Sequence, residues 1–218
     1  MVVSGIFITF EGIEGSGKST QARRLAQKLE SLGYDVVLTR EPGGTKIGER
    51  IREILLSTDS DGLVATSELL LYLADRVQHQ SELIIPALKQ GKVVVSDRYF
   101  DASIAYQARA RGLGKFAEDL IFRFAEPVPD LTLLLDCSAE VGLRRARGRI
   151  EELGEHLQAR FEAEEIGFHR RVRAAYLALA QSFPDRIKVV NSELPPDEVF
   201  ERVWKIVSER MGIGREGG

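Results

Sequence analysis

Apolar residues along this chain fall into two alternating rhythms. Ile6-Phe7-Ile8-Thr9-Phe10 is a short β-branched and aromatic run, the pattern of a buried strand. Similar runs follow at 35–39, 92–97, 131–136 and 187–190. Between them the apolar positions take helical spacing: over 18–32, from Ile47 to Leu55, over 67–90, 102–110 and 115–125, from Ser138 to about Arg147, onward to Ser182, and from Pro196 to Met211. Leu69, Leu70, Leu73 and Val77 form one stripe of the 67–90 helix, which Pro86 is expected to bend. Ser138 is a candidate cap for the helix after it. Periodicity fades between Gly148 and Arg160, where charge is dense.

Strands that alternate with helices imply a parallel sheet covered on both faces, an α/β three-layer domain of five strands. The chain of 218 residues carries no internal repeat and no Pro/Ser linker, so one domain over 1–218 is expected. The first ten residues lack the basic flank and cleavage site of a signal peptide. No apolar run reaches the roughly 18 residues of a membrane helix. The glycine-rich tail over 212–218 is expected to fray.

Composition changes this picture little. The net charge of −3 argues against a protein that coats duplex DNA by charge. A single cysteine, Cys137, excludes an internal disulfide, and with only three His residues it excludes a zinc cluster. Cys137 reads as a buried small hydrophobe, and a cytoplasmic setting fits. Neither nucleic acid nor membrane is expected as a partner. The 30 basic residues split into 8 Lys and 22 Arg, so position must reveal which arginines bind phosphate.

The first strand runs into Gly12-Ile13-Glu14-Gly15-Ser16-Gly17-Lys18-Ser19-Thr20, and a helix follows. Gly, four residues, Gly-Lys-Ser is the P-loop pattern. Its glycines let backbone amides turn around phosphate oxygens, and the helix aims its positive dipole end at them. Lys18 adds a point charge, and Ser19 can ligate Mg²⁺. The expected architecture is therefore a P-loop NTPase fold that binds a nucleoside triphosphate.

The lone Asn, Asn191, is followed by Ser192, so a guanine-reading Asn-Lys-x-Asp motif does not exist. Asp59-Ser60-Asp61-Gly62 reads as a turn. Two strands end in Asp97-Arg98 and Asp136-Cys137, not in the Asp-Glu pair of a water-activating ATPase. An Arg after the strand Asp suits a phosphate clamp, hence phosphoryl transfer with water excluded. Glu14, Arg40, Asp97, Arg98 and Asp136 follow strands directly and should gather at one sheet edge. Asp136 reads as structural, and His79, His156 and His169 show no catalytic spacing. A regulatory P-loop ATPase, or a kinase for another nucleotide or deoxynucleoside, stays open as an alternative.

Phe10-Glu11-Gly12 with the P-loop, Arg40-Glu41-Pro42-Gly43-Gly44-Thr45, Leu71-Tyr72-Leu73-Ala74-Asp75-Arg76, Asp97-Arg98-Tyr99 and Ala105-Tyr106-Gln107 together resemble the bacterial thymidylate kinase family over nearly the whole chain. The resemblance implies transfer of the ATP γ-phosphoryl group to dTMP, with Mg²⁺, by a homodimer. It implies catalytic roles for Lys18, Asp97 and Arg98, with Arg98 on the acceptor phosphate. Ser19 and Asp97 would organise the metal. Glu14 would lie near the acceptor sugar or the metal, and Pro42 would join the substrate site. Tyr72, where the family usually has Phe, would stack on thymine. Arg76 would hydrogen-bond the thymine edge, Tyr106 would pack under the sugar, and Ser103 and Gln107 would face the base.

The family also implies a mobile lid, here at about 147–160. The variable P-loop residues Ile13, Glu14, Gly15 and Ser16 include no base, so a lid Arg is expected to act on the transferring phosphoryl group. Arg149 is the first candidate, then Arg147 and Arg160. Arg144 and Arg145 fit a solvated helix face better. The chain departs from the family's Asp-Arg-x-Glu with Ala159-Arg160-Phe161-Glu162, and Glu151, Glu152 and Glu155 lengthen the lid.

Overall fold

A computed structural model describes residues 5–60, 62–153 and 160–214. Strand β1 (Ile6–Glu11) leads through the P-loop into α1 (Lys18–Ser31). Strand β2 (Val36–Arg40) leads into α2 (Lys46–Leu56), and α3 (Ala65–His79) follows. A π-helical turn, Gln80–Ile84, joins α3 to the short α4 (Ile85–Lys89). Strand β3 (Val93–Asp97) precedes a single helical turn, α5 (Phe100–Ser103), a π-helical stretch (Ile104–Ala110) and α6 (Gly114–Arg123). Strand β4 (Leu131–Asp136) precedes α7 (Ala139–Leu153) and α8 (Ile166–Ser182), and β5 (Ile187–Asn191) precedes α9 (Pro196–Met211).

The five strands form one parallel sheet in the order β2-β3-β1-β4-β5. Alternate side chains of each strand feed two cores. Phe7, Val94 and Leu134 join Leu69, Ile104 and Val172 on one face. Ile8, Phe10, Val95 and Leu133 join Leu25 and Val203 on the other. Burial on both faces explains why the strands read as continuous apolar runs. The register sets Phe10, Arg40 and Asp97 level at the carboxyl edge, where ligand loops gather in such sheets.

Local detail departs from the sequence expectations at four places. The 67–90 helix is interrupted by the wide turn before Pro86, in which the Ile85 amide donates to the Gln80 carbonyl five residues back. This turn accommodates a ring that would meet the carbonyl four residues back in a regular helix. The stripe of that helix also splits: Leu69 and Leu73 are core, whereas Leu70 and Val77 are exposed. Helix α7 continues past Arg147 and through Gly148 to Leu153. Ser138 donates both its hydroxyl and its amide to Glu193. Cys137 is buried and free, as expected. Asp61, Glu155, His156, Ala159 and the tail beyond Gly214 lie outside the described residues.

Candidate active site

The loop after β1 wraps around the start of α1. Gly15 sits at φ 69, and a Cβ there would lie 2.0 Å from the Gly142 carbonyl oxygen of α7. Any larger residue would push the P-loop off the helix that runs into the lid. Lys18 Nζ donates to the Ile13 carbonyl at 2.7 Å and to Ser16 Oγ at 3.3 Å, so the ammonium lies folded across the loop. Burial, and then the charge of Arg98, pull this ammonium down to about 8. Phosphate oxygens entering the loop would reverse that trend. Ser19 Oγ donates to Asp97 Oδ2 at the end of β3.

Among the described residues no group of three His, Cys, Asp or Glu side chains converges as a metal site. The hydroxyl and carboxylate of Ser19 and Asp97 are hard oxygen donors that share one cleft with Lys18. That set fits Mg²⁺, which takes one or two protein oxygens and completes its shell with water and nucleotide phosphates.

The same cleft extends to a second wall, lined by Pro42 before α2 and Arg52 on it, by Tyr72 and Arg76 of α3, and by Tyr106 and Gln107 of the π-helical stretch. The Tyr106 carbonyl accepts from the Arg111 amide, five residues on, at 2.8 Å. This widened turn is a feature that the helical spacing of 102–110 did not disclose. Ser103 does not line the cleft. It stands behind Arg76, whose Nη2 donates to Ser103 Oγ at 2.8 Å.

Arg98 and Glu14 join the two walls. Arg98 is the one non-glycine residue with positive φ (74°) among the described residues. Its amide donates to the Phe10 carbonyl at 2.9 Å, its carbonyl accepts from Ser96 Oγ at 2.7 Å, and the next amide, of Tyr99, donates to Glu11 Oε1 at 2.7 Å. Backbone strain of this kind persists where the surroundings over-determine it. The Arg98 guanidinium donates to Glu14 Oε1 at 2.8 Å and to the Gly12 carbonyl at 3.1 Å. Tyr106 Oη donates to the same Glu14 oxygen at 2.6 Å, and His169 Nδ1 lies 3.2 Å from Glu14 Oε2. Burial opposes the Glu14 charge, but His169, Arg98, Lys18 and Tyr106 together hold its carboxyl well below the usual range.

Arg149, in the segment where a lid is expected, lines the cleft and lies 3.7 Å from Glu162 Oε1. Among the described residues Arg147 reaches the Glu162 carbonyl, at 3.5 Å, and does not line this cleft. Arg160 is committed elsewhere: it donates to the Leu55 carbonyl at 2.7 Å and to the buried Glu68 Oε2 at 2.6 Å. That ion pair ties the lid's end to α2 and α3, so Arg160 leaves the list of candidate fingers. Asp136, read as structural, pairs with Arg173 through two hydrogen bonds of 2.7 and 2.8 Å.

Glu14, Gly15, Lys18, Ser19, Pro42, Tyr72, Arg76, Asp97, Arg98, Tyr106, Gln107 and Arg149 thus share one cleft. Gly12, Ile13, Ser16, Gly17 and Thr20 complete the loop without lining it. Sequence reasoning missed Arg52, Phe161, Glu162 and the buried His169. Of these, Phe161 and Glu162 sit in the Ala159-Arg160-Phe161-Glu162 segment noted at the lid's expected end, whereas a lone His at helical spacing carries no signal of its partner.

The parallel sheet, the phosphate loop and the arginine-lined second wall together define a P-loop phosphotransferase. The family model described as thymidylate kinase matches residues 10–203. A thymidylate kinase of Pelobacter propionicus is 51% identical over 201 residues, covering 91% of this chain and 92% of that one. One from Syntrophotalea carbinolica is 49% identical over 209 residues, covering 95% and 97%. The crystal structure of thymidylate kinase from Ehrlichia chaffeensis superposes with a TM-score of 0.75 at 33% identity, covering 94% of this chain and 99% of that one. The chain belongs to the thymidylate kinase family.

Proposed function

We propose that this chain transfers the γ-phosphoryl group of ATP to dTMP, giving dTDP and ADP. The observation that carries the reading is one cleft in which Lys18 and Ser19 face Arg98, Arg76, Tyr72 and Tyr106. The donor phosphates lie in the loop from Gly12 to Thr20, with Lys18 on the β- and γ-phosphates. Arg98 leaves Glu14 for the acceptor phosphate, a bidentate exchange that guanidinium geometry favours. Arg76 and Gln107 read the base edge, Tyr72 stacks on the ring, Pro42 flanks it and Tyr106 closes the sugar side. Glu14, released from Arg98, is free for the acceptor sugar. Mg²⁺, held by Ser19 and Asp97, supplies neutralisation of the phosphate charge when bound.

Arg149 enters from the lid, at about 147–160 of a single domain spanning 1–218, and neutralises charge on the transferring group. Its side chain is half exposed and among the described residues meets only a loose partner, so little there opposes its movement onto ATP. We also infer a cytoplasmic homodimer, in which exposed Leu70 and Val77 of α3 contribute to the contact. Light scattering tests it, and a monomer at assay concentration removes it. Among the described residues no helix is long and apolar enough to cross a membrane.

A coupled assay of ADP release from ATP tests the main reading, with dTMP, dUMP, dCMP, AMP, GMP and thymidine offered in turn. Stimulation strongest with dTMP is expected. Slow ADP release indifferent to every acceptor would instead mark a regulatory ATPase.

A further inference from the structure

Thr39, Glu41 and His79 have no part in the transfer described above, yet they form a hydrogen-bonded chain that ends on Arg76. Thr39 Oγ1 lies 2.7 Å from His79 Nε2. His79 Nδ1 lies 3.1 Å from Glu41 Oε1, and Glu41 Oε2 accepts from Arg76 Nε at 3.0 Å. His79, Glu41 and Arg76 are 0%, 3% and 1% exposed. A carboxylate paired with a guanidinium only accepts, so Nδ1 of His79 carries a proton and donates it to Glu41. The other nitrogen shares a hydrogen bond with the Thr39 hydroxyl. Both ring nitrogens of the imidazole are thereby used.

The far end of this chain meets the cleft. Arg76 is planar, and two of its edges are fixed, Nε by Glu41 and Nη2 by Ser103. Its Nη1 is buried and has no hydrogen-bond partner among the described residues, although Arg76 lines the cleft. A buried donor without a partner is costly unless a ligand supplies the acceptor. The backbone is also shaped around the chain: a Cβ on Gly44, at φ 79, would lie 2.5 Å from Thr39 Oγ1 and 2.6 Å from His79 Nε2. The loop carrying Pro42 therefore closes directly over the Thr39–His79 contact.

We infer that Thr39, His79 and Glu41 are positioning residues that lock the Arg76 plane, and so set affinity for the keto edge of the acceptor base. The inference rests on the dTMP reading above. An arginine offers only donors, so the locked Nη1 accepts a thymine carbonyl as partner and rejects the amino group that cytosine presents there. The relay acts on the acceptor alone. It touches neither Lys18 nor the phosphate loop.

Steady-state kinetics of His79→Leu, His79→Asn and Thr39→Val against wild type, with melting curves of each, test this. His79→Leu is expected to raise the KM for dTMP about tenfold, with kcat and the KM for ATP within about twofold of wild type. His79→Asn, whose amide nitrogen can take the place of Nδ1–H, is expected to recover most of that loss. Thr39→Val removes only a hydroxyl and is expected to raise the same KM about threefold. A well-folded His79→Leu with unchanged dTMP KM overturns the inference. So does loss of kcat and both KM values together in His79→Leu and His79→Asn alike, the signature of a packing role. If His79→Leu does not fold, an unchanged dTMP KM in Thr39→Val overturns it. Wild-type protein that shows no dTMP-dependent ADP release overturns the dTMP reading itself, and this inference with it. Wild-type turnover beside an unmoved KM in the variants overturns the inference alone.

Discussion

The acceptor wall and the lid both bring arginines to the cleft, and they hold them in opposite ways. Arg76 is 1% exposed and committed at Nε and Nη2, and Arg98 is pinned by Glu14, Gly12, Tyr106 and Tyr176. Arg149 has a side chain that is 48% exposed and, among the described residues, a single partner 3.7 Å away. Arg76 is organised in advance and would need little reordering when the acceptor arrives, whereas Arg98 would exchange Glu14 for the acceptor phosphate on the proposed reading. On the proposed mechanism Arg149 is ordered by the donor, so its charge acts only when ATP is present. A kinase gains from that asymmetry because an assembled site open to water would waste ATP by hydrolysis.

The largest effect is expected in the lid. Arg149→Ala should lower kcat by about 10³-fold while leaving dTMP affinity nearly unchanged. Single-turnover kinetics with ATP and dTMP would read this, and an unchanged kcat would remove Arg149 from the mechanism. Arg147→Ala, which lies outside the cleft, should retain most of the rate, and a collapse there would transfer the role. On the wall, Arg98→Ala should lower kcat/KM for dTMP by about 10²-fold, since a charged hydrogen-bonding partner of phosphate is lost. Equal loss of ATP affinity, measured by calorimetry, would break the division between the two regions.

Smaller effects sharpen the wall. Tyr106→Phe deletes the hydroxyl that donates to Glu14 at 2.6 Å but keeps the ring. It should cost about fivefold in kcat/KM for dTMP, because Glu14 keeps His169. A wild-type value would show that the ring alone matters. Smallest is a stability effect at Asp75. Burial, and then the Glu41 charge, push the Asp75 carboxyl up to about 8. Its unfolded value is about 3.9, so between these limits the folded protein binds the extra proton. Stability is therefore fully present below the lower limit and is lost as pH rises through about 8. Asp75→Asn should flatten the fall of Tm between acidic and alkaline buffer by about 2–4 °C. Equal slopes for the two proteins would discharge Asp75 from that role.

Much of the fold was legible from residues adjacent in the chain. Strand runs such as Leu131–Asp136 and the loop from Gly12 to Ser19 announce themselves locally, because burial on both sheet faces and phosphate cradling by amides need contiguous residues. The helices were legible in placement but not in detail. Two π-helical turns, at Gln80–Ile84 and Ile104–Ala110, follow from packing and a proline ring rather than from hydrophobic spacing. The lid arginines show the same limit, since charge density alone did not separate Arg149, at the cleft, from Arg160, tied to Glu68.

By itself the sequence determined an α/β sheet, a triphosphate loop at its first strand, and a family resemblance that named the acceptor. Tertiary structure alone decided the wiring. Glu14 meets Tyr106 across 92 residues of chain and His169 across 155, and Glu41 meets His79 across 38. Periodicity records which way a side chain faces within its own element. It holds no record of the partner waiting on another element, and the charge states and free donors of this site depend on those partners.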